Sequence, residues 1–146
     1  MRLFLFIGAW ALLVTACSAP KNKKTAATLA PPVDELHDIW ALESIDGLPI
    51  SSKKLSKIPY MEIHLNDKRI MGNDGCNEFS GNIESVDAKN IKFGMLVSTK
   101  MACPNMALSN EVSKRLEKTR SYELQFLKLV FFDEKNKALM QFKKVD

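Results

Sequence analysis

Along most of the chain, apolar and polar residues alternate with a period of two, the pattern of a strand with one face buried and the other in water. Trp40 and Leu42 open this pattern, with Ser44 next on the same face, and Asp46-Gly47 supplies a turn. Met61, Ile63 and Leu65 alternate with Glu62 and His64, which predicts a strand over 60–65 that ends at Asn66-Asp67 and returns through Arg69 to Met71. Residues 79–86 and 91–93 form a second predicted pair, joined by Asp87 to Asn90. Residues 122–125, 128–132 and 139–142 form a closing meander, with Asp133 to Lys137 between its last two strands. The period changes once: Leu108, Val112, Leu116 and Thr119 recur at three or four residues, placing them on one side of a helix over about residues 105–118. Asn105 is positioned to cap its first turn, and Arg115, Lys118 and Arg120 suit its carboxyl end. Asn110, Ser113, Lys114 and Glu117 are expected in water. The stretch FLKLVFF (126–132) is apolar on both alternating faces, which predicts a central strand covered by the helix on one side and by the core on the other. The expected class is α+β, mainly β: a bent antiparallel sheet, partly barrel-like, with one packed helix.

The first 36 residues do not follow this pattern. Arg2 precedes an uncharged, mostly apolar run of 12 residues from Leu3 to Val14, shorter than the roughly 20 a helix needs to cross a bilayer and without a polar face. Residues 1–16 therefore read as a secretory signal. Val14-Thr15-Ala16-Cys17 closes it in the manner of a bacterial lipobox, which implies a lipid on Cys17; ordinary secretion is the alternative, because Val14 and Ala16 also satisfy the small-residue rule. One acyl chain binds a membrane marginally and two bind it stably. Ser18 follows where the enterobacterial sorting rule would need aspartate for inner-membrane retention. This favours an outer-membrane anchor with the domain facing the periplasm. From Ser18 to about Leu36 the chain is rich in Ala, Pro, Lys and Thr, a tether of about 60 Å when fully extended. The resulting division is 1–16 signal peptide, 17–36 anchor and linker, and 37–146 domain.

Charge and cysteine count refine that division. The chain carries 21 Lys and Arg against 17 Asp and Glu, and loss of Arg2 with the leader lowers its net +4 to a mild +3. Basic residues are spread along the sequence apart from Lys21, Lys23 and Lys24, so no nucleic-acid face is expected. Three cysteines leave one over. If Cys17 is acylated, Cys76 and Cys103 remain to form a disulfide, the alternative being two buried free thiols.

The segments around those two cysteines carry a resemblance. Gly72-Asn73-Asp74-Gly75-Cys76-Asn77-Glu78-Phe79-Ser80-Gly81, followed by Ser98-Thr99-Lys100-Met101-Ala102-Cys103-Pro104, is similar to the META domain, also called the HslJ-like family. Trp40, Leu42 and Glu111 stand where that family shows Trp-x-Leu and an acidic residue in the helix. The resemblance covers about residues 39–143. It implies a small, mainly antiparallel, partly barrel-like fold with a helix, and a cysteine pair at Cys76 and Cys103. Members include a heat-inducible bacterial protein linked to novobiocin resistance and a kinetoplastid virulence factor, and likeness to lipid-binding secretin pilot lipoproteins has been noted. The resemblance implies an association with envelope stress and names no substrate.

Other chemistry is weakly represented. Asp74, Asn77 and Glu78 offer oxygen ligands in a glycine-rich loop but lack EF-hand spacing, so a turn is expected and no metal. Met95, Met101, Met106 and Cys103 are soft donors at irregular spacing, better suited to packing. Only His37 and His64 could partner a cysteine nucleophile, and His64 falls on the polar side of its strand. There is no G-x-S-x-G, no H-E-x-x-H and no phosphate-binding glycine loop in the sequence. The expectation is a non-enzymatic envelope lipoprotein that needs no cofactor, holds the membrane through its lipid and binds an unidentified envelope protein. The alternative is a module for a small apolar or lipid ligand, with Trp40, Phe79, Phe126 and Phe131 around a cavity. A hydrolase ranks third.

Overall fold

In the computed structural model, residues 33–51, 55, 57–104 and 106–145 are described. Cys17, the leader, most of the linker and the Asn105 cap lie outside them. A short 3-10 turn, Val33–Leu36, leads into β1 (Ile39–Ile45) and β2 (Leu48–Pro49). There follow β3 (Tyr60–His64), β4 (Arg69–Asn73), β5 (Glu78–Val86), β6 (Ile91–Ser98), α1 (Met106–Lys118), β7 (Ser121–Gln125), β8 (Lys128–Phe132) and β9 (Ala138–Lys144). The strands form one antiparallel sheet in the order β6-β5-β4-β3-β1-β9-β8-β7, with β2 paired only to β1.

The sheet curls into a half-barrel, and its bulges show how. Register shifts occur twice between β5 and β6, around Ile83, once between β1 and β9 and once between β8 and β9. Each inserts an unmatched residue and sharpens the local twist, bending the strands around a common interior. At one end the two outer strands meet through an Asn90–Ser121 bridge, with Ile91 N–H donating to the Arg120 carbonyl at 3.1 Å and Tyr122 N–H to that of Lys89 at 2.8 Å.

The interior is filled by alternate residues of every long strand. Phe131 sits between Phe93 and Phe142, edge-on to each with ring centroids 5.5 Å apart. Trp40, Met61, Ile63, Ile70, Leu129 and Met140 are fully enclosed around them. The Trp40 indole donates to the Leu36 carbonyl at 3.0 Å, tying the 3-10 turn to the base of the core, where Leu36 is also buried.

The predicted strands and turns are present, β4, β6 and β9 running beyond their predicted ends. Asp46 and Gly47 both take positive φ, as the tight β1–β2 hairpin requires. Two expectations need correction. Ser44 does not continue the Trp40–Leu42 face: the β1–β9 register shifts between Leu42 and Ser44, and Ile45 packs on the core instead. A single bulge reverses side-chain parity, which no alternation count detects. The stretch 126–132 is not a covered central strand. Phe126 and Leu127 form the β7–β8 turn, and α1 packs chiefly on β6. Ser109 is buried beside Val112 and Leu116 on the inner side of α1. At the carboxyl end of α1 the Arg120 guanidinium donates to the carbonyls of Glu117 (2.8 Å) and Thr119 (2.7 Å), closing the helix as its sequence position suggested.

Candidate functional site

The loop between β4 and β5, Asp74 to Asn77, is closed by its own side chains. Gly75 takes φ +99, a conformation that a Cβ would strain. The Asp74 carboxylate accepts from the backbone N–H of Cys76 (2.9 Å) and Asn77 (2.7 Å), and the Asn73 carboxamide oxygen accepts from Gly75 N–H (2.9 Å). Such short polar side chains satisfy main-chain donors that would otherwise be buried without partners. Just before the loop, Gly72 lies where β4 crosses β3: a Cβ there would meet the Tyr60 carbonyl oxygen at 2.1 Å and the Met61 Cα at 2.7 Å.

Asn77 joins this loop to the segment before α1. Its oxygen accepts from Met101 N–H at 2.8 Å, and its amide donates to Ser109 Oγ on α1 at 3.1 Å. Thr99 adds a reciprocal pair with Glu78: Thr99 N–H donates to the Glu78 carbonyl (3.0 Å) and Thr99 Oγ1 accepts from Glu78 N–H (3.2 Å). The Cys76–Cys103 disulfide, with Cα atoms 5.9 Å apart, closes the same seam covalently. Met106 packs its sulfur 3.7 Å from that of Cys76. The two motif strings, separated in sequence, are therefore one knot, buried on its β4–β5 side and exposed along residues 98–102, that seats the amino-terminal end of α1 against the half-barrel.

In this geometry Asp74, Asn77 and Glu78 each have a side-chain oxygen with hydrogen-bond partners. Asp74 directs its carboxylate at the loop's own N–H groups, the Asn77 oxygen accepts from Met101 N–H, and Glu78 turns outward to accept from Asn73 (3.0 Å) and Lys57 (3.1 Å). The Asn73 amide, followed by the Lys57 ammonium, holds the Glu78 carboxyl below its ordinary range. Among the described residues no group of three or more His, Cys, Asp or Glu could hold a metal ion. Met95 is 87% exposed and Met101 stands in solvent, while Cys103 is in the disulfide, so the soft donors do not converge. His37 and His64 do come together, edge to face at 5.5 Å, yet both cysteines of the domain are bonded elsewhere.

The apolar set proposed from sequence is divided. Trp40, Phe79 and Phe131 are buried in the packed interior, whereas Phe126 is 98% exposed. They line no common cavity. The concavity nearest the motif knot is an open groove of about 410 Å³ on the outer face of β3 to β6, lined by Tyr60, Glu62, Met71, Ser80, Val97 and Thr99. Val97, Ser80 and Met71 are successive cross-strand partners, so their side chains form a row on one face. Val97 is 68% exposed. Lys57 lies 5.3 Å from the Tyr60 ring at the groove's end and pairs with Glu78. Alternation after Arg69 marks Met71 as outward-facing, but Val97 shares the parity of the buried Ile91 and Phe93 and faces outward only because the β5–β6 register shifts between Phe93 and Leu96, so the row depends on pairing that the sequence does not display.

Glu111, the acidic helix position, also has a structural role. It pairs with Arg115, which in turn pairs with Asp46 of the β1–β2 hairpin, and Lys137 reaches the same carboxylate at 3.1 Å. The Arg115 and then the Lys137 contacts hold the Asp46 carboxyl below its ordinary range.

Comparison with known proteins places this geometry in context. The family model described as the META domain matches residues 34–146. Among solved structures, one determined by NMR is 26% identical, covers 75% of this chain and 90% of its own, and superposes with a TM-score of 0.58. An NMR structure of a protein from Burkholderia xenovorans is 21% identical over 87% of this chain and 99% of its own, with a TM-score of 0.60. The crystal structure of a DUF4847 family protein from Bacteroides vulgatus is 15% identical over 76% and 96% of the respective chains, with a TM-score of 0.57. The last two share the fold. No curated protein matches the sequence.

Proposed function

The chain belongs to the META domain family, and from that premise we propose that it is a non-enzymatic, lipid-anchored binding module of the bacterial envelope. A lipid on Cys17 holds it to the periplasmic side of the outer membrane, and the half-barrel meets an envelope protein through the groove of Tyr60, Met71 and Val97. The observation that carries this reading is the use to which the motif residues are put. Asp74, Asn77, Cys76 and Cys103 are spent on one another, on backbone donors and on Ser109, which builds a rigid wall and leaves Met71, Val97 and Tyr60 as the accessible side chains beside it. Met71 and Val97 on either side of Ser80, with Tyr60 beside them and the Lys57–Glu78 pair at the rim, suit a protein surface, where apolar contacts bordered by polar groups are the ordinary arrangement. A role in envelope stress tolerance follows the family association and belongs to the same proposal.

The test is site-specific photocrosslinking in living cells, with a photoreactive side chain at Val97 and, as control, at Lys114 on the outer side of α1. A discrete crosslinked protein from position 97, absent from position 114, is expected. Identical patterns from the two positions, or adducts to lipid alone, would remove the groove as a protein site. Fatty-acid labelling of the intact chain against Cys17→Ser tests the anchor separately, because serine cannot form the thioether.

A further inference from the structure

The β7–β8 hairpin combines three local choices that each work against an isolated soluble domain. Gln125 pairs with Lys128, so the connection has two residues, Phe126 and Leu127. Phe126 takes φ 54, a left-handed conformation at the hairpin position that glycine ordinarily fills. Its ring is 98% exposed and Leu127 is 51% exposed, two large apolar side chains side by side in water. Directly behind them, Lys128 on β8 stands opposite Lys143 on β9, and like charges at opposed strand positions repel. A strained backbone held against relief is a reason to look for function.

The surroundings show what these choices have in common. Lys144 N–H donates to the Leu127 carbonyl at 2.8 Å, and Val145 N–H to that of Ile39 at 3.0 Å, which places β8, β9 and β1 side by side at this rim. Ile39 and Val145 are themselves half exposed. With strands spaced roughly 4.8 Å apart, the hairpin tip lies about 10 Å from β1, the strand into which the preceding 38 residues of the sequence lead. Those residues hold Cys17 and the lysines at 21, 23 and 24. The acids nearest this rim are Asp38, which is paired with Lys144, Asp34 and Glu35 on the 3-10 turn, Glu62 opposite Ile39 on β3 and Glu123 on β7, while the Lys128–Lys143 pair stands at the base of the hairpin itself.

We propose that the Phe126–Leu127 hairpin is a membrane-docking tip: the two apolar side chains enter the bilayer interface while Lys128 and Lys143 contact anionic phospholipid head groups. An interface is apolar beneath and anionic above, and that order matches the hairpin from tip to base. The tip fixes the orientation of the tethered domain, with the rim that receives the linker toward the lipid. This orientation rests on the Cys17 anchor proposed above, whereas the contact itself does not.

The experiment uses the full chain as matured in a bacterial envelope, carrying Phe126→Trp, in vesicles of phosphatidylglycerol and phosphatidylethanolamine with brominated acyl chains. Trp40 is fully buried, so the parent chain supplies the background. At least twofold stronger bromine quenching than in the parent, with a blue-shifted emission, is expected. Lys128→Gln with Lys143→Gln should remove most of the added quenching, and vesicles lacking phosphatidylglycerol should do the same. Phe126→Gly should abolish docking while leaving the melting temperature equal or higher, because glycine relieves the positive φ; a merely structural phenylalanine would lower it. Quenching no greater than the parent's, or shielding that appears only when envelope protein is present, overturns the docking tip. Intact mass of the same preparation reports the lipid on Cys17 independently: a lipidated chain without quenching refutes the tip and keeps the anchor, and quenching without lipid does the reverse.

Discussion

Removing the disulfide should cost this domain a large part of its stability, and the structure says where the loss falls. Cys76 and Cys103 are 27 positions apart, joining the β4–β5 loop to the segment before α1. In the chain-entropy treatment, freeing a loop of that length costs about 3.6 kcal/mol at 25 °C. Removing the bond leaves the seam held by the Asn77 bonds to Met101 and Ser109 and by the Thr99–Glu78 pair. Serine at position 76 adds a small destabilisation of its own, since Cys76 is buried and a hydroxyl there needs a partner. Cys76→Ser and Cys103→Ser are each expected to lose about 3 to 4 kcal/mol, which lowers the melting temperature by roughly 15 °C for a domain of this size. The double variant should lose little more than either single one, because both remove the same constraint. Urea unfolding of the three variants and of the reduced parent measures all four numbers. Additive losses, or a reduced parent that melts within about 3 °C of the oxidised one, would refute the assignment of stability to the crosslink.

Three further outcomes follow from the same seam and its neighbours. Gly72→Ala places a Cβ against the β3 backbone at 2.1 Å from the Tyr60 oxygen, so strands β3 and β4 must separate, and loss of soluble folded protein is expected by circular dichroism; a native spectrum and melting temperature would be contrary. Asn77→Ala strands Met101 N–H and Ser109 Oγ and should cost about 2 to 4 kcal/mol by urea unfolding; a cost below about 1 kcal/mol would show that the surrounding bonds suffice. The Asp46 carboxyl is held below its reference value of 3.8, first by Arg115 and then by Lys137, so the stability it contributes is present above about pH 4 and is lost as pH falls through the folded-state value. Asp46→Asn should therefore be less stable than the parent at neutral pH and converge with it near pH 2, an outcome that denaturant midpoints across that range will test.

Much of this protein was legible from local pattern. A strand with one dry face and one wet face must alternate, and Met61 and Ile63 against Glu62 and His64 do so because burial selects every second side chain. The single change to a helical period located α1 within a residue or two, and Asp46-Gly47 announced its turn because few other pairs accept positive φ twice. The cysteine count and the motif strings around Cys76 and Cys103 identified the family and the crosslinked pair. What local pattern could not carry is whatever depends on register between strands distant in sequence. Ser44 lost its expected face to one bulge, and FLKLVFF, apolar throughout, did not reveal that its first two residues form an exposed turn. The motif residues read as a turn in the sequence, but that their polar atoms meet across the β4–β5 loop and α1 is visible only in the fold. Likewise the Met71–Ser80–Val97 row and the Lys128–Lys143 opposition exist only once strands are paired, since hydrogen-bonded neighbours bring together side chains that the chain itself keeps apart. Local sequence determined the strands, turns and helix because backbone preference and one-sided burial act over a few residues; the surfaces were decided by tertiary structure because pairing and curvature act across the whole sheet.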